Sequence, residues 1–410
     1  MAIIEDLAAL NRAQWAAFLA SVLGWTLDAF DFFLMVFVVK AVAHDFHATI
    51  AQVSLSLAFT LMFRPFGALV FGWLAEKFGR RPVLMINIAL FSVFELATAF
   101  APSLPVLLVL RALFGFAMGG EWGVGASLVM ESIPARSRGT VSGILQEGYP
   151  LGYLLAALVY LLVFDRFGWR GMFVVGVAPA VLVLFIRFFV KESPVWEQRR
   201  AAASAPGLIS ALARNWKTFF YVVLLMTAFN FFSHGTQDLY PTFLQVQHKL
   251  DTATVSGIAV TMNIGAILGG LSFGFWSQKI GRRRAIIIAS LLALPIIPLW
   301  AFSTTPVMLG FGAFLLQIAV QGAWGVIPAH LNELSPPEAR GTFPGFAYQT
   351  GNLFASCNTP FQTWLAAKYG GNFGLALAVV LAVAALAIAV IAASGREARE
   401  LVFGERATRR

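Results

Sequence analysis

Nine ionisable residues lie inside long apolar stretches of this 410-residue chain: Asp28, Asp31, Arg64, Glu95, Arg111, Glu121, Glu147, His234 and Asp238. A charge at the centre of a bilayer costs at least ~2.5–3.5 kcal/mol, so each of them needs a purpose. Six are carboxylates and two are arginines, so four carboxylates would lack an opposite charge if all six ionised. Several are therefore expected to hold a proton. Carboxylates poised to exchange protons can couple proton entry to another movement; the plainer alternative is that some pair structurally or face watery vestibules.

The spacing sharpens this. Asp28 and Asp31 are three apart and share a helix face, and two like charges so close cannot both ionise cheaply. Arg64, in LMFRPFGALVFG, is always charged and can grip a carboxylate through two parallel hydrogen bonds. That partner could be a substrate acid, Asp28 or Asp31. Asn230, His234 and Asp238 recur every four residues, with Ser233 and Gln237 beside them. On a helix this makes one polar stripe, and Gly235 and Pro241 weaken the helix there. Such a stripe lines a substrate path or a helix–helix hydrogen-bonding seam. Gln349 with Asn352, and Gln317 with Gln321, are further polar pairs open to either reading.

The elements that hold these residues follow from composition. The chain is 59% hydrophobic and 12% charged, with a mean hydropathy of +0.78; soluble domains run at roughly 45–50% and about 25%. Disorder, a disulfide scaffold and an ordinary soluble enzyme are excluded. Apolar runs fall at about 15–40, 50–75, 83–101, 106–130, 140–162, 171–190, 218–245, 255–277, 285–302, 306–331, 342–366 and 373–393, and about 20 residues span a bilayer. An all-α integral membrane protein of twelve transmembrane helices is expected. Its two six-helix bundles cover 1–190 and 218–393, joined by a cytoplasmic linker at 191–217 and followed by a cytoplasmic tail at 394–410.

The net charge of +9 is explained by basic loops rather than by nucleic acid. Of 29 lysines and arginines, 22 fall on the side of the N-terminus, 5 on the other, and Arg64 and Arg111 lie inside spans. By the positive-inside rule both termini are cytoplasmic. No cleavable leader is evident, because the first apolar run already carries Asp28 and Asp31; the lack of an N-x-[ST] acceptor favours a bacterial inner membrane. The single cysteine, Cys357, can form no internal disulfide, and five histidines without ligand spacing give no metal site. No cofactor is expected. No nucleophile–base pair or phosphate loop supports an enzyme, and the short tail argues against a signalling sensor.

The halves repeat. GWLAEKFGRR (Gly72–Arg81) returns as GFWSQKIGRR (Gly274–Arg283), an offset of 202. The same offset relates Trp122-Gly123 to Trp324-Gly325, Glu131 to Glu333, and Arg138-Gly139-Thr140 to Arg340-Gly341-Thr342. This is a parallel repeat, which places a substrate near the midplane between the halves. Arg64, Arg111 and Glu121 map onto Ala266, Ala313 and Ala323, so the first half is expected to carry most of the charge work.

The G-x-x-x-[DE]-x-x-G-R-R loop and its second copy resemble the major facilitator superfamily over nearly the whole chain. The usual Asp is Glu76 in one copy and Gln278 in the other. Arg111, opening R-x-x-x-G, is similar to that superfamily's fourth-helix motif, which implies proton coupling or helix packing. LDAFDFF resembles the first-helix D-x-x-D of organic-acid:proton symporters. N-x-x-[ST]-H-x-[ST]-Q-D-x-x-x-T, matched from Asn230 to Thr242, resembles lactate/pyruvate:proton symporters of the yeast lactate permease type, within the sialate:proton symporter family. Tyr348-Gln349-Thr-Gly-Asn352 is similar to that family's Q-x-x-N pair. The bacterial sialic acid transporters that this family includes typically carry extra central helices between the halves; the linker of about 27 residues here is too short for a spanning hairpin, and that departure disfavours a bulky sialic acid.

The resemblance implies a proton-coupled symporter of a small monocarboxylate such as lactate or pyruvate, with other organic acids as the alternative. Its partners are the organic anion, the proton and the lipid bilayer, with no nucleic acid, and it is expected to act as a monomer. Arg64, Asn230, His234, Gln237, Gln349 and Asn352 would bind substrate. Asp28, Asp31, Glu121, Asp238 and Arg111 would couple protons. Glu76, Arg80, Arg81, Glu131, Arg138, Arg282, Arg283, Glu333 and Arg340, at helix ends, would form gate salt bridges.

Overall fold

The computed structural model describes residues 10–132, 141, 144–193, 197, 213–335 and 343–397. Among these, all regular structure is helical. The first half contains α1 (Arg12–Asp45), α2 (Ile50–Phe78), α3 (Arg80–Ala99), α4 (Leu104–Ser132), α5 (Gly148–Val175) and α6 (Ala180–Phe189). The second contains α7a (Trp216–Gln237) and α7b (Tyr240–Val246), α8 (Thr252–Ile280), and α9a (Arg282–Leu292) with α9b (Ile297–Phe302). It continues with α10a (Pro306–Trp324) and α10b (Ile327–Leu334), α11a (Phe343–Ala355) and α11b (Asn358–Lys368), and α12 (Phe373–Ser394).

Among the described residues, ten stretches are long and apolar enough to cross a membrane. One of these, Ile144–Phe189, is 46 residues long and turns at Gly168 (φ 63°, ψ −168°), so it holds two of the expected runs. The expected run 342–366 is split between α11a and α11b, each too short to count alone. The linker 191–217 falls largely outside the described residues.

Polar caps mark where several helices begin. Asn11 and Thr49 form reciprocal capping boxes with Gln14 and Gln52, and the Asp251 carboxylate accepts from Thr254 N at 3.0 Å, which holds it below the usual carboxylate range. Such caps satisfy amides that a helix start leaves unpaired. Gly79 (φ 106°) and Gly281 (φ 97°) join α2 to α3 and α8 to α9a. Their backbone lies where a side chain would be strained, and they stand 202 residues apart.

The repeat extends into the packing. Gly67 on α2 sits against the Phe116 carbonyl of α4, and Gly269 on α8 against the Ile318 carbonyl of α10a. Both residues of each contact are related by the 202 offset. With no Cβ, the backbones approach closely, as small residues allow between membrane helices.

The halves meet along α2 with α11 and α5 with α8. They also touch on both sides of the molecular centre. Toward the basic loops, Trp122 packs edge-on against Tyr348 at 5.3 Å, with Gly123 beside Gly345. Toward the other end, Gln245 Nε2 donates to the Phe37 carbonyl at 3.3 Å and the Tyr160 hydroxyl at 3.2 Å, and Thr252 donates to Asp165 at 3.0 Å.

Candidate functional site between the halves

Arg64 is placed by the close approach of α2 to α4, where Gly119 abuts the Arg64 carbonyl. Its guanidinium projects toward α1. Nη2 lies 3.5 Å from Asp28 Oδ2, and Nε and Nη1 have no hydrogen-bond partner. Of the two protein carboxylates open at the sequence level, the structure brings Asp28 to Arg64. The guanidinium lies 5.9 Å from the centre of the Phe32 ring and also acts on the Tyr348 hydroxyl of α11a. One arginine thus faces both halves.

The α7a stripe lies opposite. Asn230, Ser233, His234, Gln237 and Asp238 are all buried. His234 Nδ1 and Asp238 Oδ1 are 3.0 Å apart, and the imidazole packs edge-on against Phe32 at 5.5 Å. Phe32 therefore stands between Arg64 and His234. The helix breaks after Gln237 and restarts at Tyr240 with Pro241 in its first turn; proline has no amide proton to extend the preceding ladder.

The amides are tied together. Gln237 Nε2 donates to Gln317 Oε1 at 3.0 Å, and Gln317 Nε2 donates to Thr236 at 3.2 Å. Asn352 Nδ2 donates to Gln349 Oε1 at 2.8 Å. Asn230 Nδ2 reaches the Tyr348 carbonyl at 3.5 Å. Asn230 Oδ1, Gln349 Nε2, Asn352 Oδ1 and Asp238 Oδ2 remain without a partner. Buried polar atoms are normally satisfied, so unsatisfied ones gathered along α7 and α11a need a reason.

The other first-half charges form a continuation. Glu121 lies within electrostatic reach of Asp28 and Arg64, and neither of its oxygens has a hydrogen-bond partner. Asp31 is within reach of Asp28, Glu95 and Arg111, again with both oxygens unpartnered. Arg111 is paired with Glu95 at 2.5 Å, and its guanidinium lies over Phe114 at 4.0 Å. Arg111 therefore belongs to a local ion pair on α3 and α4, while Arg64 faces the second half.

Sequence reasoning left out the aromatic wall. Phe32, Phe33, Tyr149 and Tyr348 surround the polar groups: Phe33 packs on Tyr149 at 5.0 Å and on Tyr153 at 4.2 Å, and Tyr348 bridges Trp122 and Trp324. On an apolar helix such rings look like ordinary packing. The 3.0 Å contact to Gln237 also brings in Gln317, which spacing alone did not separate from a packing pair.

At the helix ends, the side chains of Glu76, Glu131, Arg138 and Arg340 lie outside the described residues. Arg282 and Glu333 form an ion pair at 3.1 Å, linking α9a to α10b within the second half. Arg80 Nη1 donates to the Ala75 carbonyl at 2.8 Å. Arg81 donates to the Arg187 carbonyl, and Arg283 to those of Ala392 and Ala393. Two further carboxylates complete this layer. Glu192 accepts the backbone N–H groups of Arg80 and Arg81 at 2.9 and 3.1 Å. Glu397 accepts those of Arg282 and Arg283 at 3.2 and 3.1 Å. Each carboxylate binds a helix N-terminus, where the exposed amides and the helix dipole favour an anion.

This repeated helical architecture, enclosing a buried arginine and a polar stripe between its halves, is that of a secondary transporter. The chain belongs to the Major Facilitator Superfamily, whose model matches residues 16–272; a second model, sugar (and other) transporter, matches residues 206–394. It is similar to the carboxylic acid transporter protein homolog of Saccharomyces cerevisiae, 29% identical over 89% of this chain, and it spans 64% of that relative's length. It is 26% identical to the sialic acid transporter NanX of Escherichia coli, over 93% of this chain and 94% of the relative. Among solved structures, the partially occluded inward open xylose transporter XylE from Escherichia coli superposes with a TM-score of 0.77 at 18% identity, over 96% of this chain and 100% of that one. The chain is thus a multi-pass membrane transporter of that superfamily.

Proposed function

We propose that the protein is a proton-coupled symporter of a small monocarboxylate such as lactate or pyruvate, working by alternating access as a monomer in the cell membrane with both termini cytoplasmic. The observation that carries this is Arg64. It is a fully buried guanidinium with two donor nitrogens unpartnered and one long contact to Asp28.

A substrate carboxylate takes the open side of Arg64. Asp28 competes for the same cation while ionised, so a proton on Asp28 releases Arg64 to the anion. Anion and proton then enter together and add little net charge to a low-dielectric site. Asp31, Glu121 and Asp238 extend the proton-accepting set, and the Arg111–Glu95 pair lies at its far end. Asn230, His234, Gln237, Gln349 and Asn352 hold the remaining oxygens of the acid. Two six-helix halves, 1–190 and 218–393, rock about the site, and the charged groups at the basic ends of the helices act as gates.

A second reading is favoured by the rings of Phe32, Phe33, Tyr149 and Tyr348: a flat, unsaturated or aromatic acid would stack where a three-carbon acid leaves space. Uptake of labelled L-lactate into proteoliposomes, with and without an inward proton gradient, tests the first reading. Acceleration by the gradient and inhibition by pyruvate are expected. No uptake by a folded protein, with uptake of an aromatic acid, would replace the first reading with the second.

A further inference from the structure

One buried carboxyl has no part in the site just described. Glu147, at the N-cap of α5, is only 7% exposed, and its Oε2 has no hydrogen-bond partner. Its position is unusual because it touches the other half of the molecule. A Cβ placed on Gly270 of α8 would collide with the Glu147 carboxyl. The carboxyl therefore lies directly on the α8 backbone, in the space a side chain would fill. Gly270 is ten residues before the end of α8 at Ile280, or ~15 Å from it at 1.5 Å per residue. The contact thus lies between the central site and the basic loops.

Among the described residues, the surroundings offer no charge. Beside Glu147, Gly148 rests against Trp25 and Thr26 of α1; α8 presents Gly270. No charged or titratable side chain of the described residues acts on the Glu147 carboxyl. A neutral carboxylic acid fits there. A carboxylate would be an unpaired buried ion, which is costly unless it reaches water or a partner.

We propose that Glu147 is a proton-operated latch between the halves: protonated, it lets α5 close on α8; ionised, it holds the basic side open. When the halves part on that side, water reaches the carboxyl and the proton leaves. Closing again requires a proton to return. The latch is a two-state element whose balance is set by the proton concentration on the basic side. It rests on the alternating-access reading above but involves neither Arg64 nor the substrate.

The test is a distance measurement on the full-length protein without any organic acid. Spin labels go on Phe78→Cys, at the exposed end of α2, and Lys279→Cys, at the exposed end of α8, in a Cys357→Ala background. Distance distributions are recorded in lipid nanodiscs between about pH 5 and pH 9, the range in which a buried carboxyl titrates. The unsubstituted latch should give a short distance in acid and a growing longer population in base. Glu147→Gln, permanently neutral, should stay short throughout, and Glu147→Asp should behave like the parent. Gly270→Ala, whose Cβ meets only the end of the Glu147 side chain, should displace the carboxyl from its place and weaken the pH-dependent shift. Retention of the parent's pH-dependent shift in Glu147→Gln, or absence of any shift in the parent, would overturn the proposal. Monodispersity on size exclusion confirms that each variant is folded. Because no substrate is present, failure here leaves the lactate experiment to be judged separately.

Discussion

The Arg64 guanidinium meets the Asp28 carboxylate at a single point, Nη2 to Oδ2 at 3.5 Å, although a two-point grip is open to this pair of side chains. The arginine is thus held loosely by the protein. Arg64→Ala should abolish uptake while leaving the protein monodisperse, because nothing else described in the centre supplies a fixed positive charge toward the second half. Arg64→Lys, with one compact charge and no fork, should lose about tenfold or more in apparent affinity. Unimpaired uptake by Arg64→Ala would remove this residue from the site.

The same contact sets a pH dependence. If Arg64 receives the substrate anion as proposed, ionised Asp28 competes with it for the same cation, so binding should strengthen as pH falls and Asp28 takes up a proton. Asp28→Asn removes the competitor at all pH values. Substrate binding by this variant, measured by calorimetry or by protection against thermal unfolding, should persist at alkaline pH, while uptake driven by a proton gradient should be lost.

The His234–Asp238 pair joins successive turns of α7a at its break. Asp238→Asn should loosen the imidazole from its orientation and leave a buried polar group unsatisfied, a loss of about 1–3 kcal/mol and so roughly fivefold to a hundredfold in transport. His234→Gln should show a similar loss. If Asp238→Asn transports normally, the stripe is a packing seam.

Glu192 and Glu397 make a prediction about stability. Each accepts two backbone N–H groups at the start of a helix, and hydrogen bonds to charged groups contribute about 1.5–3 kcal/mol. Glu192→Ala and Glu397→Ala should each lower the thermal unfolding temperature in detergent, and the double substitution should lower it by about the sum, since the two sites share no partner. An unchanged melting curve would show that water replaces the carboxylate at no cost.

Much of the scaffold was legible because membrane burial writes itself into long apolar runs, and because a 202-residue offset survives in glycines, tryptophans and arginines. The α7a stripe was legible for the same reason: Asn230, His234 and Asp238 contrast sharply with their apolar neighbours. Glu192 and Glu397 were not, because their partners are backbone amides, which leave no residue-type signature. Phe32 was not, because a ring that bridges Arg64 and His234 has the same identity as a ring that faces lipid. The partner of Arg64 was open between two aspartates one turn apart, and only the rotation of α1 against α2 chose between them. The division of α11 at Ala355–Asn358 was also missed, although Pro360 stands in the first turn of α11b much as Pro241 does in α7b.

The contacts of Gly67 with Phe116 and of Gly269 with Ile318 join backbone to backbone. Replacing side chains in the central site does not touch them, so each helix pair keeps its spacing whatever acid the site accepts. The rigidity within each half and the chemistry facing its partner are thus separable. Arg64, Phe32 or Gln317 can be exchanged while the backbone packing inside each half stays as the repeat sets it.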